Sequence, residues 1–269
     1  MLSPDLIVRP ARPDDAEPAA AWAEAKRTEY ARYSPVFWRP AADARAKHHP
    51  FLRSCIQDDA FAAYAAVAGG ALVGVTLANR RGAPAPFRAE QALTWFVDDF
   101  YVADAALWPT AGLALLSAVG VAAGAAGAAR VIVVVAQRDE PKRALLRSAG
   151  YTLEAAWWTH PLAPMAAPFA FTPPAPVGIA ATVAPAPPVY DPGGPVALAL
   201  ALDNSPGEAS AAQVARFGEW AAICGAVLAV VPARIADTAL GEALASGGYT
   251  VSSEWYVREL DERGAHSGQ

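Results

Sequence analysis

From the start of the chain, segments in which the spacing of apolar residues is typical of strands are followed by segments in which it is typical of helices. LIVRP (6–10) predicts a first strand, and Pro13-Asp14-Asp15 predicts a helix start with acidic side chains at the positive end of the helix dipole. Helical spacing then predicts one helix over about 16–33 and a second over about 41–57, broken near Pro50.

Two apolar runs within residues 61–80 flank Gly69-Gly70 and predict a β-hairpin. Gly74 lies inside the second run. A glycine in a strand indicates a bulge or a close approach of two backbones, so we expect one of these at Gly74.

A strand–helix alternation follows the hairpin. The β-branched run ARVIVVVAQ is nearly continuous, which is typical of a strand buried on both faces. The next segment has Pro141 near its start and Gly150 at its end, as a short helix does. The predicted elements are a strand at 93–103, a helix at 110–128, a strand at 129–137, a helix at 139–151 and a strand at 152–160.

Residues 105–129 carry no charge, which raises the question of a membrane span. The stretch is rich in Ala and Gly, whereas a spanning helix needs more Leu, Ile, Val and Phe. We therefore expect a buried helix of a soluble protein and no membrane partner. The first residues show no apolar signal segment, so a cytoplasmic protein is expected.

The composition changes between residues 161 and 195, where nearly half of the 24 prolines lie. This indicates a linker or an extended wrap rather than a packed helix. After it the alternation resumes, with predicted strands at 196–203, 226–231 and 249–260 and predicted helices at 208–224 and 235–245.

The second series repeats the first at an offset of 98 residues. SAGYTLEAAWW (148–158) aligns with SGGYTVSSEWY (246–256), with Ser, Gly, Tyr, Thr and the first Trp identical. This indicates a duplication; two unrelated units in an Ala-rich chain are the alternative. The predicted boundaries are 1–162 for a first domain, 163–195 for the linker, 196–262 for a degenerate half repeat and 263–269 for a disordered tail.

The composition is that of a globular chain: 269 residues, 54% hydrophobic, 17% charged, with a net charge of −5. Nucleic-acid binding needs a basic face, so it is excluded. Cys55 and Cys224 match no metal-ligand spacing, and we expect buried free thiols. His48-His49 has no apparent ligand partners, so a solvated helix face is expected there and no metal site is predicted.

The element order through residue 160 resembles the GCN5-related N-acetyltransferases (GNAT). The most specific match is DDFYVADAALWPTAGLALL (98–116). The family has a valine at the end of its central strand, an R/Q-x-x-G-x-G/A loop and a helix that begins with small and leucine residues; Val102 and Gly112 hold the corresponding positions. ALLRSAGY resembles the family helix that ends in Gly-aromatic. The resemblance implies an α/β fold with a mixed (α+β) sheet, GNAT-like, followed by a partial GNAT-like repeat.

The resemblance also implies acetyl-CoA as co-substrate. In this family, backbone N–H groups of the loop and the helix dipole hold the pyrophosphate of coenzyme A, and the pantetheine arm lies beside the central strand. Phe100, Tyr101 and Val102 are therefore expected to line the arm. The residues expected to face the phosphates are Leu107, Trp108, Thr110, Ala111, Gly112 and Leu113.

The sequence departs from the family pattern at four positions. Leu107 stands where a basic or amide side chain is expected, Thr110 replaces the first glycine, and Pro109 has no N–H to donate. Leu146 stands where the family often has a tyrosine that acts as general acid. These changes weaken pyrophosphate binding and proton transfer.

Asp98 and Asp99 are the candidate catalytic residues. Acetyl transfer needs a neutral amine, so a base must take the ammonium proton. Adjacent strand residues point to opposite faces, and one carboxylate is therefore expected to reach the acceptor, with a pKa raised by its apolar neighbours. The alternative is a carboxylate that caps a loop or binds the substrate cation. Tyr30, Tyr33, Phe37 and Trp38 are expected to pack in the core or, alternatively, to form an aromatic acceptor wall.

The predicted function is an acetyl-CoA-dependent N-acetyltransferase acting on a small-molecule or peptide amine, with a homodimer compatible with the sequence. The alternative is a non-catalytic GNAT-like binding or scaffold module that has lost efficient turnover. An unrelated doubly wound nucleotide-binding domain is disfavoured because no G-x-G-x-x-G follows any strand.

Overall fold

The structure is a computed structural model that describes residues 5–80, 86–87, 92–163, 173–202 and 208–260. The helices of this part of the chain are α1 (Ala16–Tyr30), α2 (Ala44–Gln57), α3 (Leu113–Ala125), α4 (Glu140–Ser148), α5 (Glu208–Ile223) and α6 (Thr238–Ser246). Its strands are β1 (Ile7–Pro10), β2 (Phe61–Ala68), β3 (Ala71–Asn79), β4 (Thr94–Val102), β5 (Arg130–Ala136), β6 (Thr152–Pro161), β7 (Ile179–Ala184), β8 (Val196–Leu202), β9 (Leu228–Arg234) and β10 (Thr250–Glu259).

The chain packs as two compact units. Unit 1 takes the described residues of Met1–Lys26, Arg45–Leu153 and Trp255–Gln269, and unit 2 takes those of Arg27–Ala44 and Glu154–Glu254. This division differs from the boundaries expected at residues 162 and 196. The expected tail at 263–269 lies outside the described residues.

Unit 1 contains a mixed sheet in which β1, β2, β3 and β4 pair antiparallel in that order and β4 pairs parallel with β5. The end of β10 follows β5, and the amide of Leu260 donates to the carbonyl oxygen of Ala129 over 2.7 Å. The predicted mixed sheet is confirmed. Gly74 of β3 faces Val102 of β4, and a side chain on it would meet Leu115 at 2.9 Å, which is the close approach that the sequence indicated.

Helices cover both faces of the unit 1 sheet. Ala16, Ala19 and Ala20 pack with Leu52, Cys55 and Val75, which fixes α1 and α2 on one face. Leu115, Leu116 and Val119 of α3 and Leu145 and Leu146 of α4 join the larger core on the other face, with β4 and β5 side chains. α4 carries its apolar residues on one side, whereas α3 is apolar on all sides and buries part of its surface against the sheet.

Unit 2 has the order β6-β9-β8-β7, with β8 and β9 parallel and the other neighbours antiparallel. Its core contains Phe217, Trp220 and Leu244. The strand β7 lies within the Pro-rich segment, so part of that segment joins the sheet. Trp38 donates its indole N–H to the carbonyl oxygen of Ser252 over 3.2 Å and contacts Tyr30, which assigns these aromatic residues to packing.

From β5 onward the two repeats match residue by residue at the offset of 98. Asp139 and Asp237 each cap a nine-residue helix by accepting from the third backbone amide, and Gly150 and Gly248 leave those helices at φ 79° and 80°. β4–α3–β5–α4–β6 corresponds to β8–α5–β9–α6–β10. The last strands are exchanged: Ala155–Pro161 of β6 pairs with β9 in unit 2, whereas Trp255 and the residues after it lie in unit 1.

Two helix boundaries differ from the sequence-based expectation. α2 continues through Pro50 without a break. The helix expected at 110–128 begins earlier, because Asp104 accepts a hydrogen bond from the amide of Ala106 and caps a 3₁₀ turn over Ala105–Leu107. A π-helical turn, Trp108–Gly112, then leads into α3; Pro109 has no N–H for the regular bonding ladder, which accounts for the widened turn.

The helical stretch Ala105–Ala125 is long and apolar enough to cross a membrane by length and composition. The core helix of a soluble protein passes the same test. In unit 1 this stretch packs on the sheet, with Leu115, Leu116, Val119 and Ala123 buried. Both cysteines are free; Cys55 is buried and Cys224 is half-buried, with the pKa of its thiol raised by burial.

Candidate functional site

The parallel strands β4 and β5 separate after a short paired stretch. Their register covers only Thr94–Val97 against Arg130–Val133, although β4 runs on to Val102 and β5 to Ala136. The second halves of both strands therefore border a gap in the sheet. Side chains from either face of the sheet can approach each other there.

A β-bulge in β4 lies at the start of this gap. Phe100 faces Thr76 and Val97 faces Ala78, so Asp98 and Asp99 together stand opposite the single residue Leu77 of β3. A bulge interrupts the regular alternation of side chains and turns the extra residue outward. The expectation that the two aspartates follow simple strand alternation does not hold across such a bulge. Asp98 is exposed, and Asp99 is half-buried.

Asp99 is held by two polar side chains. The Tyr101 hydroxyl donates to its Oδ1 over 2.9 Å, and Nε2 of His48 lies 3.1 Å from the same oxygen. His48 is on α2, only 4% exposed, and its ring stacks on Phe51. The expectation of a solvated helix face is thus wrong for His48, because α2 turns this side chain toward the bulge.

Lys142 approaches the gap from the other face of the sheet. It is on the first turn of α4 and is 4% exposed. Its Nζ lies 5.2 Å from the ring centroid of Phe100 and 5.9 Å from that of Trp108. A cation over two aromatic faces is stabilised by their quadrupoles. Lys26 forms an ion pair with the buried Asp139 at 3.6 Å beside it.

Burial lowers the pKa of Lys142 from 10.5 to about 8. The negative charges of Asp139, Asp98 and Asp99 oppose this shift, and the positive charge of Lys26 adds to it. The site therefore holds a primary ammonium that can release its proton at mildly alkaline pH, and a carboxylate and an imidazole in contact with each other.

Titration of the Lys142 ammonium should make the free energy of unfolding depend on pH. Its folded-state pKa lies below its unfolded one, so between about pH 8 and 10.5 the unfolded chain binds more protons and the free energy of unfolding rises with pH. Across this window the free energy of unfolding of wild type should rise by about 3 kcal/mol relative to that of Lys142→Met, which lacks the titrating group. Urea unfolding at pH 7 and near pH 10.5 measures it, and a constant difference would contradict a buried ammonium.

Comparisons with known proteins place this geometry in a known fold. The chain is similar over 94% of its length to 100% of a candidate acetyltransferase from Thermoplasma acidophilum, with 10% identity and a TM-score of 0.53. The chain has the fold of the GNAT acetyltransferases. The likeness concerns the fold, since the sequences share so few residues.

Two further solved GNAT structures are similar with lower scores. One is a tandem GNAT protein from the clavulanic acid biosynthesis pathway, with 13% identity over 95% of this chain and 98% of that one and a TM-score of 0.46. The other is the PaiA N-acetyltransferase from Thermoplasma acidophilum in complex with coenzyme A, with 13% identity over 55% and 91% and a TM-score of 0.42. No family profile and no curated protein matches the sequence.

The segment expected to face the phosphates of a GNAT cofactor is divided between core and surface. Trp108, Ala111 and Gly112 are buried, and the Trp108 ring packs edge-on against Phe100 at 4.8 Å. Leu107 and Thr110 are half-buried, and Leu113 is 39% exposed. Within this segment, only Leu107, Thr110 and Leu113 are accessible enough to contact a cofactor.

Gly112 is required by packing in this GNAT fold. A side chain there would lie 2.7 Å from the Trp108 ring and 3.0 Å from Leu145, whereas its backbone is ordinary helix at φ −60°. The spacing from Val102 to Gly112 therefore has a structural reason that does not involve a phosphate. The predicted side chains Phe100 and Val102 are buried in the core, and Tyr101 is half-buried beside Asp99.

The site includes two residues that the sequence did not single out as functional, His48 and Lys142. Lys142 is on the same helix face as Leu146, one turn earlier, and only the tertiary structure shows that it is buried. Within the described ranges, no group of three or more His, Cys, Asp and Glu side chains is arranged to hold a metal ion.

Proposed function

We propose that unit 1 transfers an acetyl group from acetyl-CoA to a primary amine of a small molecule or peptide. The observation that carries this proposal is the gap between β4 and β5, which opens at the bulge where Asp99, His48 and Tyr101 meet. Acyl transfer to an amine requires two parts. One is a place for the donor, which the gap between the strand edges would provide, and the other is a group that takes a proton, which lies where the gap begins.

The gap suits an extended donor with amide groups. Strand edges bind extended chains through main-chain hydrogen bonds, and the pantetheine arm of coenzyme A carries two amides in an extended linkage. Phe100, Tyr101 and Val102 on one side and Val134 to Ala136 on the other would border such an arm. The thioester would then lie near the bulge.

The bulge supplies the groups that an amine acceptor needs. Asp98 is exposed and would attract the ammonium form of the acceptor. The Asp99–His48 pair would take the proton that the ammonium must lose before its nitrogen can attack. The hydroxyl of Tyr101 fixes the Asp99 carboxylate, so the proton acceptor is held in one position.

Attack by the neutral amine then balances without a further reagent. The nitrogen lone pair forms a C–N bond to the thioester carbonyl carbon, the C–S bond breaks, and coenzyme A leaves as a thiolate. The nitrogen is positively charged after the attack and loses a proton to solvent water, which leaves the neutral amide. Most of the acceleration would come from holding donor and acceptor together, which can contribute about 7–11 kcal/mol in favourable cases.

The direct test is thiol release from acetyl-CoA by the whole purified chain in the presence of a panel of primary amines, including polyamines, amino acids and peptides with a free N-terminus. We expect release that depends on both the protein and an amine, with acetylated amine found by mass spectrometry. No release with any amine at millimolar acetyl-CoA would contradict the proposal.

A second function, a scaffold role without acetyl transfer, is favoured by one observation. The helix after β4 is capped by the carboxylate of Asp104, which puts a negative charge at the helix end that would otherwise attract phosphates. The absence of both thiol release and coenzyme A binding at millimolar concentration would support this second function.

Asp104→Asn should strengthen coenzyme A binding. Asn caps a helix as well as Asp does, so the fold is retained while one negative charge is removed. The gain expected from a helix end of this kind is about 0.3–1 kcal/mol, or roughly two- to fivefold in Kd. Titration calorimetry measures it, with Asp58→Asn as the control because Asp58 caps a turn at Ala60. Equal Kd values for Asp104→Asn and wild type would show that Asp104 does not face the cofactor.

A further inference from the structure

Acyl transfer from a thioester leaves a thiolate that has to be stabilised or protonated. A thiol of ordinary pKa, about 8.5, is a fair leaving group, and a proton donor of similar pKa placed beside the sulfur assists the C–S bond in breaking. The described part of the gap contains one ammonium group that reaches it from α4, and it is that of Lys142.

We propose that Lys142 is the general acid that protonates the departing coenzyme A thiolate; this rests on the function proposed above. The geometry points to this role because the Lys142 Nζ lies over Phe100, in the half of β4 that has separated from β5. Asp99 lies in the bulge itself, and His48 reaches it from α2. The two proton-transfer groups therefore lie on opposite sides of the gap.

The surroundings of Lys142 fix its backbone and place charged groups near its ammonium. Asp139 caps α4 and accepts from the Lys142 amide, and its own carboxylate pairs with Lys26. The charged groups that act on the pKa of the ammonium are Asp139, Asp98, Asp99 and Lys26, and His48 and Tyr101 contact Asp99. With its pKa near 8, the ammonium is protonated at neutral pH and can still give up the proton.

The proton balance of the step is simple. As the C–N bond forms and the C–S bond breaks, one N–H proton of the Lys142 ammonium passes to sulfur, and the lysine is left as a neutral amine. The amine regains a proton from water before the next turnover. The acceptor ammonium loses two protons: the first goes to the Asp99–His48 pair before attack, and the second goes to solvent water once the C–N bond has formed. The net products are the amide, the thiol of coenzyme A and one proton.

The experiment measures kcat and KM for thiol release against pH in wild type, Lys142→Met and Lys142→Arg. In wild type we expect kcat to fall above about pH 8, as the acid deprotonates. In Lys142→Met we expect kcat to fall by about 10²-fold with little change in KM, and the alkaline limb to disappear. Arg keeps the charge but does not release a proton, so Lys142→Arg should be as slow as Lys142→Met.

A third variant separates proton donation from packing. Lys142→Cys, in a chain with Cys55→Ala and Cys224→Ser, can be alkylated with bromoethylamine to give a lysine analogue whose amine has a lower pKa. Alkylation should restore kcat and bring back an alkaline limb at lower pH than in wild type. Circular dichroism verifies that each variant is folded.

The outcomes separate the two proposals. Thiol release by wild type together with an unchanged alkaline limb in Lys142→Met overturns the role of Lys142 alone. Full activity of Lys142→Arg also overturns it, because charge without a releasable proton would then suffice. The absence of any release by wild type overturns the proposed acyl transfer and the role of Lys142 with it.

Discussion

Replacing Asp99 by Asn is expected to lower kcat for thiol release from acetyl-CoA by about 10²–10⁴-fold, the range that loss of a general base produces. Asn has the shape of Asp, and its amide oxygen can still accept from the Tyr101 hydroxyl. Its amide cannot hold the acceptor's proton, so the Asp99–His48 pair loses its function while the bulge keeps its shape. The KM for acetyl-CoA should change little, because the donor arm does not depend on this carboxylate.

The matched control is Asp14→Asn, which removes the same charge from an aspartate whose side chain is 97% exposed and which lies outside the site. Its kcat should equal that of wild type. If Asp99 is the base, raising the pH toward the pKa of the acceptor amine should partly restore Asp99→Asn, because the neutral amine then forms without it. A kcat within threefold of wild type would remove Asp99 from the mechanism and leave Asp98 as the carboxylate to examine.

Replacing Trp255 by Ala is expected to lower the free energy of unfolding of unit 1 by about 3–5 kcal/mol, as large-to-small changes of buried aromatic residues do. Trp255 is 1% exposed, its ring stacks on Phe87 at 6.0 Å, and it contacts Phe96 of β4 at 5.3 Å. It belongs to the last strand of the second repeat, yet its partners are in unit 1. The loss of stability should therefore appear in unit 1, which contains most of the first repeat.

Hydrogen exchange measured by mass spectrometry locates the loss. In Trp255→Ala, peptides from β4 and β5 should exchange faster, and those from β8 and β9 should change less. Trp157→Ala, at the corresponding position of the first repeat, should show the opposite pattern, because Trp157 contacts Phe37 in unit 2. If hydrogen exchange in Trp255→Ala became faster only in β8 and β9, the assignment of the end of β10 to unit 1 would be contradicted.

The repeat could be predicted from the sequence because it depends on local signals. The Asp caps, the glycines at helix ends and the β-branched strands recur at a fixed offset, and each acts on its own few residues. The exchange of last strands could not be predicted. β6 and β10 have nearly the same apolar pattern, so either strand fits either neighbour, and swapping equivalent elements costs little.

The candidate site was predicted only in part. Asp98 and Asp99 were found because they precede a recognisable strand end. His48 and Lys142 were not, because their burial depends on how α2 and α4 pack rather than on neighbours in the chain. The helix start at Ala105 was missed for a related reason: Pro109 predicted a loop, but the Asp104 cap and a widened turn accommodate it within a helix.

A crystal structure of the chain grown with coenzyme A would show directly whether the donor arm lies in the gap between β4 and β5. We expect electron density for the pantetheine arm between Phe100–Val102 of β4 and Val134–Ala136 of β5, with the thiol directed toward the bulge and Lys142. Coenzyme A bound elsewhere, or a gap still without the arm at millimolar coenzyme A, would contradict this expectation.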